Sequence, residues 1–521
     1  LFIMKTSLFL KLTAFIVLSF SFHSLLAAPA CPYPVEVKQP NGEIIKIKIK
    51  GDEFFSYQTT EDEHVIVQND KGYYVYSDPQ EISEKFVPTD IVVHNSKNRS
   101  KIESNFLMTA PKGLTEKQKE YGAQKARAAR VENESIKYAA STTSGETPAS
   151  TTPEQRAIPT GGAKKILIIL VSFQDVRFTY SNSDFYNMMN QSGYSVNGAT
   201  GSVRDYYINS SWNQFQPNFD VFGPVVVSQN RAYYGNDTNG NAGAMIKEAC
   251  QLADAAGANF ADYDTNNDGT VDNVYCFFAG YDQAQGGSSE CIWSHASSVS
   301  GLTLDGKKIG GYGCSSELKW ASGADKVNIG TFCHEFGHVC GLPDFYDTDG
   351  NTNGNGHSTA GWTLMASGCY NNDSRTPPLL GAMEREMLGW CTIPNCPSGA
   401  VTLNKIQNSK DLPAYKINTP NPNEYYVLEY REKTGFDNSL PGSGMLIWHV
   451  DKSNSGLSFV SGSNTYSFTY NTLWSWNSVN NVSGHPCYDL VESNGSSVAS
   501  GDVSLNSAYV WPNGANAFNP Y

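Results

Sequence analysis

Two histidines four residues apart, with a glutamate directly after the first, stand at His334, Glu335 and His338. Residues four apart share a helix face, so both imidazoles can be presented to one ion while Glu335 lies beside it. That pattern suits zinc, with Glu335 placed to work as a base rather than a ligand. Zinc with three protein ligands keeps a position open for water and lowers its pKa towards ~7, and a nearby carboxylate can take the proton as that water attacks a peptide carbonyl. The bare pattern also arises by chance, as two core-satisfied histidines on a helix, so the residues that follow decide its weight. Gly341 can end the helix in a left-handed conformation and reverse the chain. The residue ten positions after His334, Asp344, can then return to the ion. A carboxylate oxygen binds zinc at ~2.0 to 2.2 Å, close to the imidazole distance. The expected ligands are therefore His334, His338 and Asp344, with Glu335 as general base.

The stretches HEFGHVCGLPDFYD at 334–347 and GWTLMASG at 361–368 resemble the immune inhibitor A-like metallopeptidases, the M6 group of metzincin-like zinc peptidases found in secreted bacterial proteins. The resemblance implies a zinc endopeptidase acting on proteins or peptides, with a methionine turn beneath the zinc site. Met365 fits that turn and would support the ligand histidines without binding metal. Residues 264–272, 377–390 and 424–451 also look like this family, so the likeness covers most of 160–451. The sequence departs from the commonest metzincin pattern of three histidines by offering Asp344. Two rival readings stay open. A different zinc clan would take its third ligand from Glu384 or Glu386 on a later helix, and a non-enzymatic adhesin could have kept a peptidase scaffold. Tyr370 and His295 are candidate donors to the developing oxyanion.

A second metal is suggested by Asp264, Asn266, Asp268, Thr270 and Asp272 around Gly269, which occupy positions 1, 3, 5, 7 and 9 of an oxygen-rich calcium loop. The glutamate of an EF-hand is missing, since position 12 is Tyr275. A structural calcium site completed from elsewhere, Asp262 among the candidates, competes with an ion-free Asn/Asp turn.

The elements that must position these groups begin with Lys165 to Phe173, a continuous apolar run after Lys165 that reads as a strand buried on both faces. Helical patterns follow near 202–211 and 242–256, and strand candidates at 274–278 and 291–294. The order is α/β, giving a fold class of α/β (α+β), metzincin-like, for the catalytic domain. Upstream, Ile45, Ile47 and Ile49 alternate with lysines after the turn Pro40-Asn41-Gly42, and a second hairpin flanks Asn69 to Gly72. A charged helix opens at Thr115 with Gln118 completing a capping box. Residues 139–162 are rich in Ser, Thr, Pro and Gly, as in a cleavable linker. After Cys396, short Tyr-, Val- and Ser-rich runs between Asn-Gly turns suggest a β-sandwich. The expected layout is a signal peptide at 1–30, a β-rich pro-segment and linker at 31–160, the zinc metallopeptidase domain at 161–395 and a β-rich domain at 396–521. That last domain ends at Tyr521 without a closing element, as a shortened form of something longer would.

Composition fits an exported enzyme. Lys5 and Lys11, the apolar run from Leu12 to Phe22 and Ala28-Pro29-Ala30 read as a secretory signal. Cys31 directly after Ala30 leaves a lipid anchor as the minority alternative to free secretion. No later segment is long and apolar enough to span a membrane, and a net charge of −14 argues against nucleic acid. A monomer is expected. Eleven cysteines in an exported chain could pair, Cys391 with Cys396 being the nearest local choice.

Overall fold

The structure is a computed structural model that describes residues 26–51, 55–78, 86–119, 121–122, 158–235, 240–348, 358–407, 414–461, 464–482, 484–493 and 510–511. Strand β1 (Leu26–Ala27) joins a sheet built by residues far away in sequence. Then β2 (Val35–Lys38), β3 (Ile44–Gly51), β4 (Ser56–Thr60), β5 (Val65–Gln68), β6 (Tyr74–Ser77) and β7 (Pro88–Val92) form an antiparallel meander in sequence order. The alternation of β3 works as expected: Ile45, Ile47 and Ile49 are buried while Lys46 points to solvent. Thr115 and Gln118 exchange the two hydrogen bonds of a capping box. The later part of that helix and residues 139–157 of the expected linker lie outside the described residues.

The central sheet explains where the chemistry can sit. Its strands are β8 (Gly162–Ser172), β9 (Phe215–Val226), β10 (Val274–Tyr281), β11 (His295–Ser298) and, after the small ribbon of β12 (Thr303–Leu304) and β13 (Lys307–Lys308), β14 (Gly311–Leu318). The order is β1-β11-β14-β10-β8-β9, parallel from β9 to β14 and antiparallel at β11 and β1. β11 begins just after the stretch 291–294 that the sequence suggested. Along β8, Ile166, Ile168 and Leu170 enter one core and Leu167, Ile169 and Val171 the other, as a strand buried on both faces requires. The helix Ala242–Ala255 covers the second face through Met245, Ile246 and Ala249. The first face carries Asn182–Asn190, Val203–Ser210 and the helix Ile329–Val339.

Every residue of Ile329–Val339 is buried. Its Phe332 packs at 4.2 Å between ring centroids on Tyr275 of β10, and the Tyr207 hydroxyl donates to Cys333 O at 2.7 Å. Gly330 lets another segment pass close by: a Cβ there would lie 1.9 Å from the carbonyl oxygen of Cys369.

Beyond residue 396 the described strands are antiparallel. β15 (Ala414–Asn418), β16 (Glu424–Arg431), β17 (Gly444–Asp451) and, after the ribbon of β18 (Gly456–Ser461) and β19 (Asn464–Thr469), β20 (Tyr488–Leu490) give one four-stranded antiparallel sheet. Among the described residues its inner face packs on the peptidase-like body instead of on a second sheet: Val427, Leu446 and Trp448 share a core with Phe345 and Met383. Strand periodicity reports a buried face without saying what covers it. A buried network joins the two parts. Arg431 pairs with Asp437 at 2.6 Å and donates to Leu379 O, while Glu429 accepts from Ala382 N at 2.7 Å.

All eleven cysteines are free. The expected Cys391–Cys396 bridge does not form, because Cys391 turns its thiol to Ala382 O and Cys396 turns to Pro397 O. Most of the others sit as small apolar groups inside strands and helices, Cys276 and Cys333 among them. No helix among the described residues is long and apolar enough to cross a membrane.

The close crossing at Gly330 gives a direct test. Gly330→Ala forces either the helix or the segment at Cys369 to move, so the variant is expected to lose about 1 to 3 kcal/mol. The measurement is the midpoint of urea unfolding, and an unchanged midpoint would show that the crossing is loose.

Candidate metal centre

The helix Ile329–Val339 brings His334 and His338 one turn apart, and its end returns the chain. Gly341 adopts φ 102°. Gly341 N–H bonds His338 O and Leu342 N–H bonds Gly337 O, which is a Schellman closure. The chain then runs back so that Asp344 faces the two imidazoles. His334 Nδ1 lies 2.9 Å from Leu364 O and His338 Nδ1 lies 2.8 Å from Leu342 O. A carbonyl only accepts, so each Nδ1 carries the proton and each Nε2 is left with its lone pair directed at the common point.

Three ligand atoms meet there. His334 Nε2 and His338 Nε2 lie 3.2 Å and 3.3 Å from Asp344 Oδ1. All three atoms are buried and have no hydrogen-bond partner. Two donors that each sit ~2.05 Å from one tetrahedral ion are about 3.3 Å apart, so the spacing matches a zinc site. Among the described residues this is the one cluster of three or more His, Cys, Asp or Glu side chains that could hold a metal. Burial pushes the Asp344 carboxyl up, and without an ion only proton-bearing imidazoles of His338 and His334 would hold it below the usual carboxylate range. To hold a metal the carboxylate must be ionised and both imidazoles neutral, with the ion supplying the positive charge.

Sequence reasoning missed the residue that holds this carboxylate. Asn477 donates its amide to Asp344 Oδ2 at 2.7 Å and accepts from Asp344 N–H at 2.6 Å. Asn480 and Asn481 continue the grip at Phe345 O and Thr348 N. An asparagine more than a hundred residues away carries no periodic or motif signal. Only the short spacing of Asn477, Asn480 and Asn481 hinted at a segment rich in backbone-binding amides.

Met365 is fully buried beneath the helix, where its Sδ would lie 2.6 Å from a Cβ at Gly337. The bare backbone of Gly337 between the two histidines is what lets the thioether in. Met365 O also accepts from Phe345 N, which ties this turn to the ligand loop.

Glu335 is buried, and its Oε1 accepts from the Ala28 N–H at 2.7 Å. The alternative third ligands are engaged elsewhere. Glu384 caps its own helix at Gly381 N, and Glu386 pairs with Lys416 at 2.6 Å. Of the two candidate oxyanion donors, His295 is occupied on both nitrogens, by Trp293 O at 2.7 Å and the Tyr312 hydroxyl at 2.8 Å, and burial lowers its pKa. Tyr370 does reach into the cleft, where its hydroxyl donates to Pro29 O at 2.8 Å.

The loop expected to take calcium is organised differently. Asp264 accepts from Asp268 N, Gly269 N and Lys307 Nζ, the last at 2.7 Å. Asn266 donates to Asp268, Thr270 N–H bonds Asp268, and Asp272 accepts from Thr265. These oxygens accept from the loop's own N–H groups and side chains and from one lysine. Among the described residues the carboxylates of Asp264, Asp268 and Asp272 do not gather as a metal-binding group.

Residues 159–387 match the family model described as immune inhibitor A peptidase M6, catalytic domain. That stretch belongs to the M6 peptidase family. The chain is similar to the pre-pro-metalloprotease PrtV of Vibrio cholerae serotype O1, 30% identical over 251 residues, which cover 40% of this chain and 27% of that protein. It is also similar to the Immune inhibitor A of Bacillus thuringiensis subsp. alesti, 26% identical over 289 residues, 43% of this chain and 41% of that protein. The chain thus matches well under half the length of either relative. All three clustered ligand residues fall inside the M6 domain, whereas Asn477 lies beyond its end.

If Asn477 orients Asp344, then Asn477→Ala should keep the cluster but weaken zinc binding by roughly 10- to 100-fold, the usual effect of losing a partner of a metal ligand. Competition with a chromophoric chelator measures this. Unchanged affinity would mean that Gly341 alone fixes the carboxylate.

Proposed function

We propose that the chain is a zinc-dependent endopeptidase of metzincin type, made for export as a zymogen and acting on proteins or peptides. The observation that carries this reading is the convergence of three buried, otherwise unpartnered ligand atoms beside a glutamate that holds a peptide N–H. His334, His338 and Asp344 would hold the ion. When bound, zinc supplies Lewis acidity, easing the ionisation of water near neutral pH and polarising a peptide carbonyl.

This chain's own residues supply the rest. Glu335, shielded from bulk water, takes a proton from the attacking water and passes it to the nitrogen of the departing amine. Its contact with Ala28 N–H shows that a peptide nitrogen fits at Oε1. The two backbone carbonyls keep the imidazoles in one tautomer, and Met365 fills the space beneath them. Asp344 adds a negative charge where a third histidine would be neutral, which makes the site a weaker Lewis acid and its water less acidic.

Export rests on the basic, apolar start of the chain, and latency on the β-rich unit and cleavable linker at 31–160. The Vibrio cholerae relative carries the name pre-pro-metalloprotease.

Glu335→Ala is expected to retain the fold and bound zinc while peptide hydrolysis falls by roughly 10²- to 10⁴-fold, because a base and not a ligand is lost. Metal analysis and kinetics on one sample decide it, and retained activity ends this mechanism. Asp344→Ala should lose zinc and activity together, whereas Asp344→His should keep the metal and move the pH profile of kcat/KM to lower pH. Full zinc occupancy in Asp344→Ala would mean that the third ligand is another group. N-terminal sequencing of the active species should give a start between residues 142 and 165, and an active form that begins near Cys31 would contradict latency.

A further inference from the structure

β11 borders the cleft, and the chain's own segment 26–31 lies along it. β1 pairs antiparallel with β11, Ala27 opposite His295 and Leu26 opposite Ala296. Past β1 the backbone is gripped group by group. Ala28 N–H donates to Glu335 Oε1 at 2.7 Å, the Trp293 indole donates to Ala28 O at 3.0 Å, Tyr370 Oη donates to Pro29 O at 2.8 Å, and Cys31 N–H donates to Ala284 O at 2.9 Å. Each of these contacts goes to a main-chain atom. Extended peptides added to a sheet edge are held in this way, with main-chain hydrogen bonds giving affinity whatever the side chains.

The contact with Glu335 fixes the direction. On the peptidase reading, on which this inference rests, Glu335 protonates the nitrogen that departs. A nitrogen held at Oε1 therefore stands at the leaving-group position, and Ala28 and Pro29 are the first two residues on that side. We infer that Trp293 and Tyr370 bind the carbonyls of the first two leaving-group residues of a peptide substrate, along the path that residues 26–31 take here. Both side chains suit the task. An indole can only donate. Burial raises the Tyr370 phenol well above its ordinary range, so it keeps the proton it donates. Trp293 is fixed by its backbone carbonyl, which accepts from His295 Nδ1, and that gives the buried histidine a role in aiming the indole.

The test uses two forms in which the segment leaves this path free: the full chain with Ala28→Trp, which places a bulky side chain at a fully buried position, and the chain that begins at Cys31, as signal cleavage would leave it. Circular dichroism and zinc content establish that each is folded. The probe is the synthetic peptide of residues 26–33, added as a competitor of peptide hydrolysis and titrated by calorimetry with and without zinc. In two analogues sulfur, a weaker acceptor, replaces the carbonyl oxygen of Ala28 or of Pro29. The peptide is expected to compete with substrate, and the Pro29 thioamide to bind roughly five- to tenfold more weakly. Tyr370→Phe should weaken the parent peptide by a similar factor and abolish the thioamide effect at Pro29 while leaving the one at Ala28. Trp293→Phe should do the reverse. Losses that simply add, or a peptide that does not compete, overturn the assignment. A displaced, zinc-loaded chain that hydrolyses no peptide overturns the peptidase reading instead, and the calorimetric arm still reads the grip.

Discussion

Asp344 places a carboxylate inside a protein interior, and the rest of the site is arranged around it. An isolated charge there is strongly disfavoured and would be neutralised by taking up a proton. Two imidazoles face one oxygen and an asparagine amide faces the other. Each of those partners needs its own restraint. The imidazoles are held by the Leu364 and Leu342 carbonyls, and the amide by the segment that closes on the ligand loop. The left-handed turn at Gly341 belongs to the same constraint, since any continuation of the helix would carry Asp344 away from His334.

The local part of this arrangement was legible in the sequence because it follows from helix geometry and one glycine. His334 and His338 had to share a face, and Gly341 had to reverse the chain if Asp344 was to return. The strand β8 was legible as a continuous apolar run, and the helix Ala242–Ala255 from its helical pattern. What the sequence hid was non-local. Asn477 looks like any loop asparagine, and nothing in Ala28 suggests that its amide would meet Glu335 across the molecule. The region after 396 showed strand character plainly. Whether its apolar face meets a second sheet or the body beside it depends on partners that no periodicity encodes, and Arg431, Glu429 and Asp437 build a buried link to 379–382 instead.

The loop at 264–272 shows the opposite hazard. Acidic side chains at alternate positions satisfy the pattern of a cation loop and equally well cap the N–H groups of a tight turn. Lys307 reaches Asp264 and supplies the positive charge there. The cysteines carry a related lesson, for their number invited pairing, yet all eleven are free and nine of them are buried.

Asn477 follows Asp344 by 133 residues. When the chain emerges in order from its N-terminus, the histidines and their helix can fold while the third ligand still lacks its clamp. The cluster is therefore completed only once residue 477 has been made. Chain order alone separates the helix that carries the histidines from the clamp on the carboxylate they face.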